Sequence, residues 1–130
     1  MTRALVFGGR DYQQQALLFA RLDLIHQQRQ ITTLIEGGAA GADRLARQWA
    51  LSRGIPVATY EADWDNTGRV GAVIRFTRHG KPYNAAAGGI RNQRMIDEGR
   101  PDLAIAFPGG VGTQDMLRRL YNTQIEVITA

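Results

Sequence analysis

Three glycine-rich turns hold the residues best suited to chemistry. The longest is Ala106-Phe107-Pro108-Gly109-Gly110-Val111-Gly112-Thr113, which follows an apolar run beginning at Leu103. Thr113 then opens a segment with Met116, Leu117 and Leu120 at helical spacing. The pattern reads as strand, glycine turn and helix N-terminus. Glycine lets the backbone approach a ligand closely. The first N–H groups of a helix have no intrahelical partner and sit at the positive end of its dipole. Such a turn suits phosphate or another anion. Two further turns repeat the logic. Gly8-Gly9-Arg10-Asp11 ends the apolar run 3–7, and Gly37-Gly38-Ala39-Ala40-Gly41-Ala42-Asp43 follows Thr32-Thr33-Leu34-Ile35-Glu36. One such turn is equally well read as a tight connection without a ligand, whereas three at strand carboxyl ends point to a shared site.

The elements that must position these turns alternate along the chain. The short apolar run 3–7 bounded by glycine fits a buried parallel strand. The segment 12–30 reads as an amphipathic helix with Leu17, Ala20 and Leu24 on its stripe and Leu18, Leu22 and Ile25 adjoining. Asp11 is its expected N-cap, and His26 is expected to be solvated. A second helix carries Ala42, Leu45, Ala46, Trp49 and Ala50, with Trp49 assigned to the core. Gly54 and Pro56 stop it. Residues 56–60 form a third strand, and a helix opening near Gly88 ends at Gly99. Strands follow at 102–107 and 125–128. Asp115 is expected in the first turn of the helix after Gly112, with Arg118 and Arg119 further along. Residues 70–76 are compatible with helix or strand, and 77–84 with an exposed loop or hairpin tip. His79 has no apparent partner.

Strand–helix alternation implies an α/β fold with a parallel sheet and helices on both faces. Right-handed crossovers favour a single Rossmann-like domain over residues 1–130, with about five strands in the order 3-2-1-4-5. The glycine turns then converge on the crevice outside the carboxyl ends of the strands, at the topological switch point. The spacing is not G-x-G-x-x-G, and no Walker lysine is present. A P-loop NTPase or an ordinary NAD dehydrogenase is therefore disfavoured.

Composition bounds the function. The chain has 130 residues, of which 44% are hydrophobic and 22% charged, so a normal core is within reach. It has no cysteine, which removes disulfides and thiolate metal sites. Neither a metal nor a cofactor is expected. No signal peptide or bilayer-length apolar stretch is visible, so a cytoplasmic location without membrane association is expected. The net charge is +4, and Lys81 is the only lysine among 16 basic residues. Arginine suits planar recognition of phosphate and carboxylate. The arginines are scattered, and no aromatic–basic patch shows in the linear order.

The motifs Gly8-Gly9-Arg10-Asp11, Glu36-Gly37-Gly38-Ala39-Ala40-Gly41-Ala42-Asp43, Asp63-Trp64, Ile90-Arg91-Asn92-Gln93-Arg94-Met95 and 107–113 together resemble the YspA-related branch of the SLOG superfamily. That superfamily is Rossmann-like. It includes the "lonely guy" phosphoribohydrolases, molybdenum-cofactor carrier-like proteins and the DNA-uptake protein DprA. The resemblance implies a site for a nucleotide or nucleotide-derived ligand and a homo-oligomer. Two departures stand out. The phosphoribohydrolase pattern is similar to PGGxGTxxE, and Met116 occupies its glutamate position, with the shorter Asp115 beside it. Residues 67–87 look like an insertion between the Asp-Trp and Arg-Asn motifs.

In the binding or sensing role that follows, Pro108, Gly109, Gly110, Gly112 and Thr113 hold a phosphate. Arg91 clamps it, assisted by Asn92 or Arg94. Gly8, Gly9, Arg10, Gly37, Gly38 and Gly41 form the neighbouring walls, and Glu36 or Asp43 meets ribose hydroxyls or a base. Trp64 either stacks on a base or covers the sheet edge, the latter being favoured. The alternative is N-glycosidic hydrolysis of nucleoside monophosphates, for which Glu36, Asp43 and Asp115 are the available carboxylates. Nucleic-acid binding is a third reading, suggested by charge and by the likeness to DprA, and is not the expected one.

Overall fold

The structure, a computed structural model, describes residues 1–130. In chain order its elements are β1 (Thr2–Phe7), α1 (Gln15–Arg29), β2 (Ile31–Glu36), α2 (Ala42–Ser52), β3 (Val57–Thr59), β4 (Ile74–Phe76), β5 (Pro82–Asn84), α3 (Ala87–Asp97), β6 (Leu103–Ala106), α4 (Val111–Tyr121) and β7 (Glu126–Thr129). Five strands pair in parallel in the order β3-β2-β1-β6-β7. Setting aside the separate antiparallel pair β4–β5, this is the expected 3-2-1-4-5 order. The switch point lies between β1 and β6.

The pleat sorts the strand residues into two cores, because successive side chains point to opposite faces. Ala4 and Val6 join Leu34, Leu103, Ile105 and Phe107 beneath α1 and α2. Leu5 and Phe7 join Ile35, Ala104 and Ala106 beneath α3 and α4, where Met95, Met116 and Leu120 close the layer. Trp49 is fully buried in the first core, and its indole N–H donates to Asp23 at 2.8 Å.

Several local expectations are corrected. α1 begins at Gln15, not at Asp11, and no side chain caps it. Residues 10 and 11 instead occupy a turn that the Tyr12 N–H closes onto the Gly9 carbonyl at 3.2 Å. The helix is also rotated. Leu18, Leu22 and Ile25 are buried, while Leu17 and Leu24 are 59% and 48% exposed. The apolar arc of this helix is wide enough to accept either face, and packing against α2 selects one. His26 is not simply solvated. Its Nδ1 accepts the Ile31 N–H at 3.0 Å, and its ring stands edge-on to Trp49. This seals the left-handed exit of α1 at Gln30. α4 starts two residues earlier than Thr113, so Asp115 falls beyond its first turn.

Within 67–87 the chain forms the β4–β5 hairpin, and Thr77 N–H to Lys81 carbonyl at 2.8 Å closes its tip. The hairpin is rooted at Trp64, whose carbonyl accepts the Asn84 N–H at 2.6 Å. No helix is long and apolar enough to cross a membrane.

Candidate functional site

The carboxyl ends of β1, β2 and β6 open into one crevice of about 1420 Å³. Of the residues singled out in the sequence, Gly8, Gly9, Arg10, Asp43, Arg91, Asn92, Arg94, Pro108, Gly109, Gly110, Gly112, Thr113 and Asp115 line it. Glu36, Gly37, Gly38 and Gly41 do not. They lie behind the wall, in the turn between β2 and α2.

That turn supplies acceptors for several of its own donors. Glu36 is completely buried; its Oε1 accepts the Gly38 N–H at 2.7 Å and its Oε2 the Thr59 hydroxyl. Asp43 reaches back from the start of α2, and its Oδ2 accepts the N–H groups of Gly37 and Ala39 at 3.2 and 3.3 Å. The Ala42 N–H donates to the Gly9 carbonyl at 3.1 Å. The N–H groups of Gly37, Gly38, Ala39 and Ala42 are thus already held by the chain's own oxygens. Burial raises the Asp43 carboxyl to about 6, against the opposing charge of Arg91 and the hydrogen bonds from Ala39 and Gly37; the nearby Glu36 adds to the rise. Its Oδ1 takes no hydrogen bond from the protein and is the carboxylate atom left for the crevice.

The turn between β6 and α4 is different. The Gln114 N–H returns to the Gly110 carbonyl at 3.0 Å, but the N–H groups of Gly110, Val111, Gly112 and Thr113 meet no acceptor. They stand at the N-terminus of a helix of 11 residues, where the dipole favours an anion.

The glycines divide by what surrounds them. A Cβ on Gly8 would lie 2.7 Å from Ala42 Cβ, and one on Gly41 2.1 Å from the Gly9 oxygen, with φ at +78°. A Cβ on Gly9 would meet the Pro108 oxygen at 2.9 Å, and one on Gly109 the Thr113 Oγ1 at 2.1 Å. These glycines let the three loops pack on one another. The Gly9 N–H to Pro108 carbonyl bond at 2.9 Å joins two of them. Around Gly110 and Gly112, by contrast, a Cβ would meet nothing within 4 Å.

α3 supplies the charged wall. Arg91 Nη1 donates to the Gly37 carbonyl at 2.5 Å and its Nε to Asn92 Oδ1 at 3.0 Å. Asn92 Nδ2 passes the connection to Asp115 Oδ2 at 3.0 Å and to the Gly112 carbonyl at 3.3 Å. Asp115 also accepts from Arg119 Nε at 2.8 Å. Partial burial works against its ionisation, but the bonds from Arg119 and Asn92 and the charges of Arg119 and Arg118 hold it below the usual carboxylate range. Burial presses Arg91 below its ordinary value; Asp43 opposes this and the neighbouring Arg10 adds to it. Two guanidinium groups that disfavour each other's charge are relieved by an anion placed between them. Arg94 lies on the rim, tied to Glu98 at 2.9 Å and resting over the Tyr60 ring.

Trp64 stands in the crevice wall instead of covering the sheet edge. Arg10 lies 5.4 Å over its ring, Tyr83 meets it edge-on, and a Cβ on Gly88 would touch it at 3.0 Å. The sequence reading missed Tyr12, Gly88, Gly89 and Arg119 as lining residues. The double glycine directly before the Arg-Asn motif was the available signal, since it lets Trp64 and Arg119 lie across the start of α3.

Comparisons with known proteins give the crevice its context. Residues 2–66 match the profile of YAcAr, described as the YspA, cpYpsA-related SLOG family. The Gene 61 protein of Mycobacterium phage D29 is 30% identical over 136 aligned positions, covering 98% of this chain and 95% of the phage protein. The X-ray structure of DNA processing protein A (DprA) from Streptococcus pneumoniae superposes with a TM-score of 0.46 at 15% identity; it covers all of this chain, which spans 59% of that one. With half its length matching the profile and a relative aligned nearly end to end, the chain belongs to the YspA, cpYpsA-related SLOG family.

Proposed function

We propose that this crevice binds a nucleotide or nucleotide-derived ligand, with a phosphate seated on the turn between β6 and α4. The observation that carries this reading is the run of unpartnered N–H groups from Gly110 to Thr113 at the start of α4. Arg91 and Arg10 supply charge from the facing wall, and the free oxygen of Asp43 suits a ribose hydroxyl. Trp64 provides an aromatic face at the mouth. Isothermal titration calorimetry with AMP, ADP-ribose and NAD tests the reading. Binding of at least one, weakened by Arg91→Ala, is expected. Silence across a broad nucleotide panel would overturn it.

One observation favours a second reading, hydrolysis of an N-glycosidic bond. Asp43, raised to about 6, faces the crevice with one oxygen free, which suits a general acid or base near neutral pH. Both other carboxylates considered for this chemistry are engaged: Glu36 in capping its turn, and Asp115 with Asn92 and Arg119. Release of free base from nucleoside monophosphates, lost on Asp43→Asn, would support turnover. Its absence in the native protein leaves the crevice as a binding site.

A further inference from the structure

Residues 66–96 contain no Asp or Glu, yet carry Arg69, Arg75, Arg78, Lys81, Arg91 and Arg94. Lys81 pairs with Asp65 and Arg94 with Glu98, whereas Arg69, Arg75 and Arg78 pair with no carboxylate. The pairing of the hairpin gives these charges an order. Arg75 on β4 lies opposite Tyr83 on β5, so the two side chains share one face. The Tyr83 ring meets Trp64 with centroids 6.4 Å apart, and Trp64 lies beneath Arg10. Arg75, Tyr83, Trp64 and Arg10 therefore form a row from the hairpin into the crevice wall, two adjoining aromatic rings with a cation at each end. Arg10, like the hairpin arginines, has no carboxylate partner. The crevice at the end of this row, about 1420 Å³, exceeds the roughly 300–1,000 Å³ usual for a single small-molecule ligand.

From this arrangement we infer that the crevice and the β4–β5 hairpin together bind a single-stranded nucleic acid, one nucleotide lying in the crevice and the following ones along the row. Aromatic rings flanked by cations suit a strand that offers both phosphates and unstacked bases. A duplex, whose bases are stacked inside, cannot use the aromatic faces. The inference rests on the proposed nucleotide site and extends it to a polymer.

The test compares thymidine 5′-monophosphate, a 5′-phosphorylated hexathymidylate labelled at its 3′ end, and a blunt duplex containing that strand, by fluorescence anisotropy and competition. The hexamer is expected to bind about tenfold or more tightly than the monophosphate, and more tightly than the duplex. Its affinity should fall with salt at a slope near −0.7 for each phosphate neutralised. Arg75→Glu combined with Arg78→Glu should remove the hexamer's advantage and leave the monophosphate affinity unchanged. Both residues are exposed and outside the two cores. Phe76→Ala, on the opposite face of the hairpin, should leave the advantage in place. A hexamer no tighter than the monophosphate, or an advantage that survives the double substitution, overturns this inference while the nucleotide site stands. Failure of both monophosphate and hexamer to bind overturns this inference, while the nucleotide site stands or falls on the panel with AMP, ADP-ribose and NAD.

Discussion

The turns at 37–41 and 108–113 look alike on paper and behave in opposite ways in the fold. Each follows a buried strand, is rich in glycine, and leads into an 11-residue helix. In the first, Glu36 and Asp43 take the N–H groups of Gly37, Gly38 and Ala39, and the Gly9 carbonyl takes the first N–H of α2. In the second, no carboxylate turns inward, and four successive N–H groups stay open. The difference lies in two acidic residues flanking the first turn. A glycine-rich turn binds an external anion only if the chain has not supplied an internal one. The first turn is therefore a buttress for the crevice wall, and the second is the part left open to a ligand.

Substituting glycines on the two sides gives the largest contrast. Gly41→Ala places a Cβ 2.1 Å from the Gly9 oxygen at a φ of +78°, combining overpacking with left-handed strain. A loss of about 3 kcal/mol or more is expected, seen as a fall in Tm of roughly 10 °C. Thermal unfolding within a degree or two of the native protein would show that the loops do not interlock there.

Asp43 gives the next effect, and its sign follows from linkage. Its pKa is raised to about 6 in the folded chain from an ordinary 3.8. Between those values the folded state holds a proton that the unfolded state has released. Stability from this group is complete below pH 3.8 and is lost as pH rises through about 6. The stability of the native protein relative to the Asp43→Asn variant should fall by roughly 2–3 kcal/mol between pH 4 and pH 7 in urea titrations. A difference independent of pH would remove Asp43 as a proton-holding group.

Arg91 joins both turns, since it holds the Gly37 carbonyl and faces the open donors across the crevice. Arg91→Ala should weaken nucleotide binding by about 10- to 100-fold, the range for a charged hydrogen-bonding group. Arg91→Lys should recover only part of this, because an ammonium cannot reproduce the fork that meets Gly37 and Asn92 together. Full recovery by lysine would reduce Arg91 to a point charge.

The smallest stability effect is expected at Gly112→Ala. A Cβ there meets nothing within 4 Å, so stability should change by about 0.5 kcal/mol or less, in the stabilising direction. Nucleotide affinity should nevertheless drop several-fold, because the methyl group occupies the space in front of the open donors. A protein as destabilised as Gly41→Ala would erase the distinction between the two turns.

Much was legible in the residues themselves. Apolar runs of four to six residues alternating with helical stripes are enough to specify parallel strands, crossovers and a sheet order, because handedness leaves few alternatives. The glycine motifs marked where the strands end. Helix rotation was less legible: the stripe was read through Leu17, Ala20 and Leu24, but α1 carries apolar residues around a wide arc, and packing buried the adjoining Leu18, Leu22 and Ile25 and left Leu17 and Leu24 exposed. The hairpin at 74–84 was partly legible: a strand was one reading of 70–76 and a hairpin tip one reading of 77–84, but strands of three residues carry too short a period to be separated from helix or loop.

By itself, then, the sequence determined the α/β topology, the crevice at the switch point and the residue types around it. Only the tertiary structure decided which of those residues remain free. Whether a backbone donor, a carboxylate or a guanidinium is available depends on partners brought in from distant positions, such as Thr59 to Glu36 or Arg91 to Gly37. The same holds for Arg75, Tyr83, Trp64 and Arg10, which are scattered along the chain and fall into one row once the hairpin pairs and roots at Trp64. Local patterns record the period of an element, whereas availability at a site is a property of contacts between elements.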